Sequence, residues 1–114
     1  MNDCLFCKII SGDIPSTKVY EDELCYAFRD INPQAKVHVV LVPKAHVANV
    51  CEAAQQLDDR TLAQLFKAVD AIAASEGLKD GFRIISNCGK HGCQSVGHFH
   101  IHILGGEQLH EKMA

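Results

Sequence analysis

His98-Phe99-His100-Ile101-His102-Ile103-Leu104 sets three histidines at alternate positions with apolar residues between them. Alternation is the period of a β-strand, whose side chains point to opposite faces in turn, so the three imidazoles share one face while Phe99, Ile101 and Ile103 share the other. One face packs and the other is free for chemistry. Neighbouring histidines on such a strand stand roughly 6.7 Å apart along the backbone, near enough for their rings to converge on one small group. A face that merely met water would carry Lys, Glu, Thr or Ser rather than the same titratable ring three times.

The chain before this stretch supplies partners for it. Thr17 to Glu21 and Leu24 to Arg29 read as two short strands joined at Asp22-Glu23, and Asp30-Ile31-Asn32-Pro33 ends the second with turn chemistry. Lys36 to Pro43 is a valine-rich strand of the kind buried on both faces. His46 to Glu52 suits a short helical turn. Asp58 is a good N-cap for a long helix with an apolar stripe of Leu62, Leu65, Phe66, Val69, Ile72 and Ala73, which reads as core, and Gly77 is placed to end it. Phe82 to Ser86 is a further strand, and a polar loop runs from Asn87 to Gly97. The order predicts one α+β domain over residues 1–114, a mostly antiparallel five-stranded sheet with one long helix on a face.

Composition narrows the function classes. The chain has 114 residues, 11 basic against 14 acidic side chains, and a formal net charge of −3. It therefore lacks the basic footprint of a nucleic-acid or anionic-membrane binder. No stretch has the length and apolarity of a signal peptide or a membrane span, which places the protein in the cytoplasm. There, its six cysteines read as metal ligands or buried thiols rather than disulfides. Cys25 and Cys51 read as packing residues.

The motif His98-Phe99-His100-Ile101-His102-Ile103-Leu104 resembles the His-φ-His-φ-His-φ-φ signature of the histidine-triad nucleotide-binding proteins. Asp30-Ile31-Asn32-Pro33-Gln34-Ala35, Val40-Leu41-Val42-Pro43-Lys44-Ala45-His46, Asn87 with Gly92-Cys93-Gln94-Ser95-Val96, and Leu104-Gly105-Gly106 extend that likeness to the Hint branch in order and spacing. The resemblance covers nearly the whole chain. It implies hydrolysis of purine nucleoside 5′-phosphoramidates, conjugates of a nucleoside monophosphate with an amine, through a covalent nucleotidyl-histidine.

Under that resemblance His100 is the nucleophile, available at neutral pH because an imidazole titrates near ~6.5. His102 and His38 match the two imidazoles that place and polarise the phosphate. Ser95 matches a hydrogen-bonding residue on the leaving-group side, Asn87 a phosphate contact, and the backbone of Gln94, Ser95 and Val96 a source of further donors. Asp30 matches the ribose-binding carboxylate, which can accept from both hydroxyls. Phe6, Ile9, Ile14, Phe28, Ile31 and Val40 correspond to the apolar walls of a base slot, which would take adenine and guanine alike. Catalysis needs no metal, because the α-phosphorus carries one formal negative charge that neutral donors can balance. The family's dimers imply a homodimer formed by the long helix and the Phe82 to Ser86 strand.

Cys4-Leu5-Phe6-Cys7 has the spacing that brings two thiolates to one zinc, but two ligands do not close a tetrahedral site. In members of the wider superfamily such a pair is completed by the histidine of a Pro-x-x-His segment and by the first triad histidine. Here those are His46 and His98. The resemblance thus assigns Cys4, Cys7, His46 and His98 to structural zinc. One departure stands out: Hint tails are often rich in Trp and Pro, whereas this chain ends Leu109-His110-Glu111-Lys112-Met113-Ala114 and contains no tryptophan. Competing functions are dinucleoside polyphosphate hydrolysis, a metallohydrolase with His98, His100 and His102 on one ion, and a non-catalytic purine-nucleotide-binding module.

Overall fold

The computed structural model describes residues 3–112, so the chain ends at Met1-Asn2 and Met113-Ala114 lie outside the described residues. Its strands β1 (Lys18–Glu21), β2 (Cys25–Arg29), β3 (Val37–Pro43), β4 (Phe82–Ile85) and β5 (Ile101–Gly105) form one antiparallel sheet in the order β1-β2-β3-β5-β4. The α+β class and the five strands are as expected. Asp22 closes the β1–β2 hairpin, its Oδ1 accepting from the backbone N–H groups of Leu24 and Cys25 at 2.8 and 2.7 Å.

The period of two sorts each central strand between two layers. Cys25 and Ala27 of β2, Val39 and Leu41 of β3, and Ile101 and Ile103 of β5 pack on one face with Leu65, Ala68 and Ile72. The last three belong to α3 (Asp59–Ser75), capped by Asp58, whose carboxylate accepts from Thr61 N at 2.8 Å. Tyr26, Phe28, Val40 and Val42 turn to the opposite face and meet Phe6 and Ile9. Each fully buried Leu or Ile contributes about 1.5–3 kcal/mol. A one-residue slip of β5 would exchange its two faces and bury the wrong set.

Three differences from the sequence expectations have local causes. The sheet carries helices on both faces rather than one, because Leu5–Ser11 forms a helix, α1. Cys4 caps it, Sγ accepting from Cys7 N at 3.2 Å, and Gly12 ends it with φ 88°. A thiol is not among the usual capping groups, and two turns are too few for the apolar period to stand out. The short helix α2 (Val50–Gln56) starts four residues later than expected, since Asn49 caps it through Glu52 N. The β5 ladder begins at Ile101 rather than His98. Its partner β3 ends at Pro43, which has no N–H to continue the ladder.

Residues 98–100 are pinned by other means. Phe99 N donates to Val47 O at 2.7 Å, and Ser86 Oγ donates to His100 O at 2.8 Å. Phe66, read as core in the helical stripe, is 65% exposed instead, on an apolar face shared with Val50, Ile84 and Ile85. Cys25 is buried as expected, but Cys51 is exposed rather than packed. No helix among the described residues is long and apolar enough to cross a membrane.

Candidate active site and metal centre

His38 on β3 and His102 on β5 face the α1 side of the sheet, and the pinned segment before β5 turns His98 and His100 to the same side. Phe6 meets both of the latter rings edge-on, at centroid distances of 6.1 and 5.1 Å. The alternation of faces thus survives although the ladder starts late. His98, His100 and His102 nevertheless do not converge on one point: His98 joins Cys4, Cys7 and His46, while His102 joins Asp30 and His38. This division removes the geometric basis for one ion held by all three alternate histidines.

Backbone groups fix the tautomers of His100 and His38, and His38 in turn fixes that of His102. His100 Nδ1 lies 2.7 Å from the carbonyl of His98, and a carbonyl only accepts, so Nδ1 carries the proton and Nε2 presents its lone pair. His38 Nδ1 accepts from Gln34 N–H at 3.0 Å, which leaves the proton on Nε2. That Nε2–H donates to His102 Nδ1 at 2.9 Å, with Asp30 Oδ2 at 3.4 Å as a second acceptor. His102 therefore bears its proton on Nε2. The result is a bare nitrogen on His100 beside an N–H donor on His102, their rings 4.9 Å apart.

Burial keeps the His38 and His102 rings neutral. His102 is pushed down to about 4 by burial first and by His100 and His38 next, with Asp30 opposing. Burial also lowers His38, again against Asp30. A neutral His102 can donate a hydrogen bond at physiological pH while keeping its proton.

The expected substrate residues are brought together unevenly. Phe6, Ile9, Phe28 and Val40 form one apolar cluster, with Ile14 and Val96 packed against it. Ile31 stands apart, 99% exposed on the turn after β2. Asp30 Oδ1 accepts from Asn32 N, which holds that turn at the edge of the histidine group. Asn87 Nδ2 donates to Gly92 O, and Gln94 Nε2 donates to Ala48 O and Val96 O. These amides shape the loop and tie it to the segment before α2, while Ser95 is exposed on a groove it shares with Cys4, Cys7 and His46.

Two residues of the slot escape sequence reasoning. Ile10 packs with Ile14 against the cluster and Tyr26 is part of it. Ile10 falls four positions after Phe6, a relation that means one face only once α1 is read as a helix.

The donor set for a metal is complete. His98 Nε2 donates to Pro43 O at 2.9 Å, so its Nδ1 lone pair is free. That nitrogen lies 3.3 Å from Cys4 Sγ, 3.5 Å from Cys7 Sγ and 3.2 Å from His46 Nδ1, and Cys7 Sγ lies 3.3 Å from His46 Nδ1. A tetrahedron built with ordinary Zn–S and Zn–N bonds has edges of roughly 3.3–3.8 Å, close to this spacing. Burial and the neighbouring Cys4 push the Cys7 thiol up to about 11, so two thiolates can share this corner only with a cation between them. The residues fit zinc, held by two sulfurs and two imidazoles with no position left for water.

The HIT domain family model matches residues 11–109. A 14 kDa zinc-binding protein of Brassica juncea is 47% identical over 94% of this chain and 96% of its own length. The protein of Arabidopsis thaliana named adenylylsulfatase HINT1 is 46% identical over 92% of this chain and 72% of its own. Among solved structures, a HIT family hydrolase from Legionella pneumophila superposes with a TM-score of 0.90 at 41% identity, covering 96% of this chain and 98% of that one. On the strength of the match over residues 11–109 and of these likenesses, the protein belongs to the HIT domain family.

Proposed function

We propose that this protein is a nucleotide hydrolase of the HIT type that cleaves purine nucleoside 5′-phosphoramidates through a nucleotidyl-His100 intermediate. The observation that carries the reading is the fixed tautomer pair, His100 with a bare Nε2 beside His102 with an Nε2–H. His100 Nε2 forms a bond to the α-phosphorus as the phosphorus–nitrogen bond of the substrate breaks. The amine leaves with that bond's electron pair and a proton passed from solvent through the Ser95 hydroxyl. Water then attacks the same phosphorus, releasing the nucleoside monophosphate and restoring His100.

Through the transition state His102 Nε2–H hydrogen-bonds the charge that develops on a phosphoryl oxygen, and His38 holds His102 in the tautomer that allows it. Asp30 takes the ribose hydroxyls, and the cluster around Phe6, Phe28 and Val40 takes the purine, which would cover the bare Ile31. Asn87 and the backbone amides of Ser95 and Val96 complete the phosphate contacts, whereas the Gln94 N–H, expected among them, is already donated to Gly89 O at 3.1 Å. Cys4, Cys7, His46 and His98 would hold a structural zinc, which would tie α1 to the sheet and supply no group to the chemistry.

The remaining features suit one domain working as a homodimer in the cytoplasm. Val50, Phe66, Ile84 and Ile85 form an apolar face on α2, α3 and the edge strand β4 that a second copy can cover. Cys25, Cys51, Cys88 and Cys93, outside the metal cluster and without disulfide partners, suit a reducing compartment. A related leaving group is favoured by the adenylylsulfatase name of the Arabidopsis relative: adenylyl sulfate would deliver the same adenylate to His100.

The deciding experiment quenches the protein with an AMP-lysine conjugate and locates the adenylate by mass spectrometry. We expect it on His100, and expect neither adduct nor turnover in His100→Ala. Tight AMP binding without turnover of any AMP conjugate would replace this reading with a non-catalytic binding module.

A further inference from the structure

His98 belongs to both centres. Its ring is fully buried, with Nε2–H on Pro43 O and Nδ1 among Cys4, Cys7 and His46. Its backbone carbonyl, on the same residue, accepts the Nδ1–H of His100 at 2.7 Å. Phe6, flanked by the two cysteines on the first turn of α1, packs edge-on against the His100 ring at 5.1 Å and against Phe28 at 5.4 Å. Two restraints on the His100 ring, the carbonyl that fixes its tautomer and the aromatic edge beside it, therefore depend on the same four donor atoms.

We infer that the Cys4, Cys7, His46 and His98 cluster is a positioning device for His100, so that metal occupancy controls nucleotide transfer to that ring. The inference rests on the proposed function for its readout of transfer, and on geometry alone for its readout of the ring. His98 reaches the cluster from the segment before β5, where no ladder bond holds the chain and ties to single side chains and carbonyls take its place. α1 pairs with no strand, so its hold on the sheet is the Phe6 and Ile9 packing together with the two thiols. Opening the cluster removes the anchor that the buried ring gives residue 98, so its backbone, which no ladder bond holds, can shift; the carbonyl then leaves His100 Nδ1, and His100 exchanges its proton between the two nitrogens. Loss of a group that orients a reacting side chain typically costs about 10–100-fold, and a displacement of about 1 Å at the reacting group is enough to do so.

The test follows one histidine in two ways. Protein labelled with nitrogen-15 in histidine is studied metal-loaded, stripped with a chelator and reloaded with Zn2+, recording the imidazole nitrogen shifts of His100 and the single-turnover rate of its adenylation. Loaded protein should show a single His100 tautomer with the proton on Nδ1. Stripped protein, still folded by circular dichroism, should show mixed tautomers and an adenylation rate lower by roughly 10–100-fold. Reloading should restore both signals, and Cys7→Ser should reproduce the stripped state; Cys7 is chosen because Cys4 also caps α1.

A fold-only role predicts a lower melting temperature with tautomer and rate unchanged well below it, and that result would overturn the inference. Should stripping unfold the chain, replacement by the larger Cd2+ keeps the cluster closed while moving its donors apart. An altered tautomer balance or rate then supports positioning, and two unchanged values sink it. If loaded protein never carries adenylate on His100, the hydrolase reading fails, while the tautomer measurement still decides whether the cluster positions the ring.

Discussion

Two groups of imidazoles sit on one face of the same sheet, His98 with His46 and His102 with His38, and they use their second nitrogens in opposite ways. Around His98 the free nitrogens and the two sulfurs turn inward toward a common centre, which a cation can fill. Around His102 the rings stand head to tail, each donor spent on the next acceptor, which leaves one directed N–H at the end. The difference comes from the backbone. Pro43 O takes the proton of His98 Nε2 and so frees Nδ1 for the cluster, whereas Gln34 N–H occupies His38 Nδ1 and so points the other nitrogen at His102. Which backbone group meets the far nitrogen decides whether a histidine becomes a ligand or a relay.

The sharpest break removes the member that belongs to neither role. His100→Ala should lower turnover of an AMP-amine substrate by about 10⁴-fold or more, as loss of a nucleophile does, while atomic absorption still finds metal on the protein. The converse break is Cys7→Ser, which should abolish metal binding and lower stability by several kcal/mol in urea titration, since closure of the cluster is coupled to folding. Next comes the relay: His38→Ala should free both His102 tautomers and cut kcat by about 10–100-fold with metal content unchanged, read by steady-state kinetics and metal analysis together.

The smallest effect is a pH slope. His102 titrates near 4 in the folded protein against an ordinary 6.5, so between those values the unfolded chain binds the extra proton and stability rises with pH. As pH falls through that window the fold should lose on the order of 1–2 kcal/mol after solvent screening of the part-exposed ring. Burial lowers His38 as well, which acts in the same direction. Urea unfolding at about pH 4.5 and about pH 7 should show this slope in the wild type and a shallower one in His102→Asn.

How much of this is legible in the sequence depends on how long each pattern runs. Residues 98–104 show their two faces directly, because a period of two needs few residues to declare itself, and β3 and α3 are found within a residue or two of their ends because a long apolar run and a long helical stripe are equally plain. The helix α1 is missed, since seven residues capped by a thiol carry neither the length nor the usual signal. With it is lost the meaning of Cys4-x-x-Cys7 as one turn of helix, and the place of Ile10. Phe66 shows the opposite failure: a stripe continuous with the core reads as core, although Phe66 at its edge faces outward while Leu65, Val69, Ile72 and Ala73 are buried. Asn87 and Gln94 are recognisable by resemblance, but only coordinates reveal that their amide NH2 groups are already engaged, Asn87 within the loop and Gln94 on Ala48 before α2 as well. The tautomers are not legible at all, because they are fixed by Pro43 O, His98 O and Gln34 N, backbone atoms that every residue type would supply.

The strand order carries a consequence for how the chain acquires its shape. β5 is the last strand in sequence but lies between β3 and β4, so both neighbours keep bare edges until the final segment threads between them. A nascent chain stopped before residue 98 would hold a three-stranded fragment, β1-β2-β3, and an unpaired β4, with Leu41 and Ile84 waiting for partners. Ribosome-bound intermediates of this length are the ones a chaperone should retain, and they should clump when it is missing.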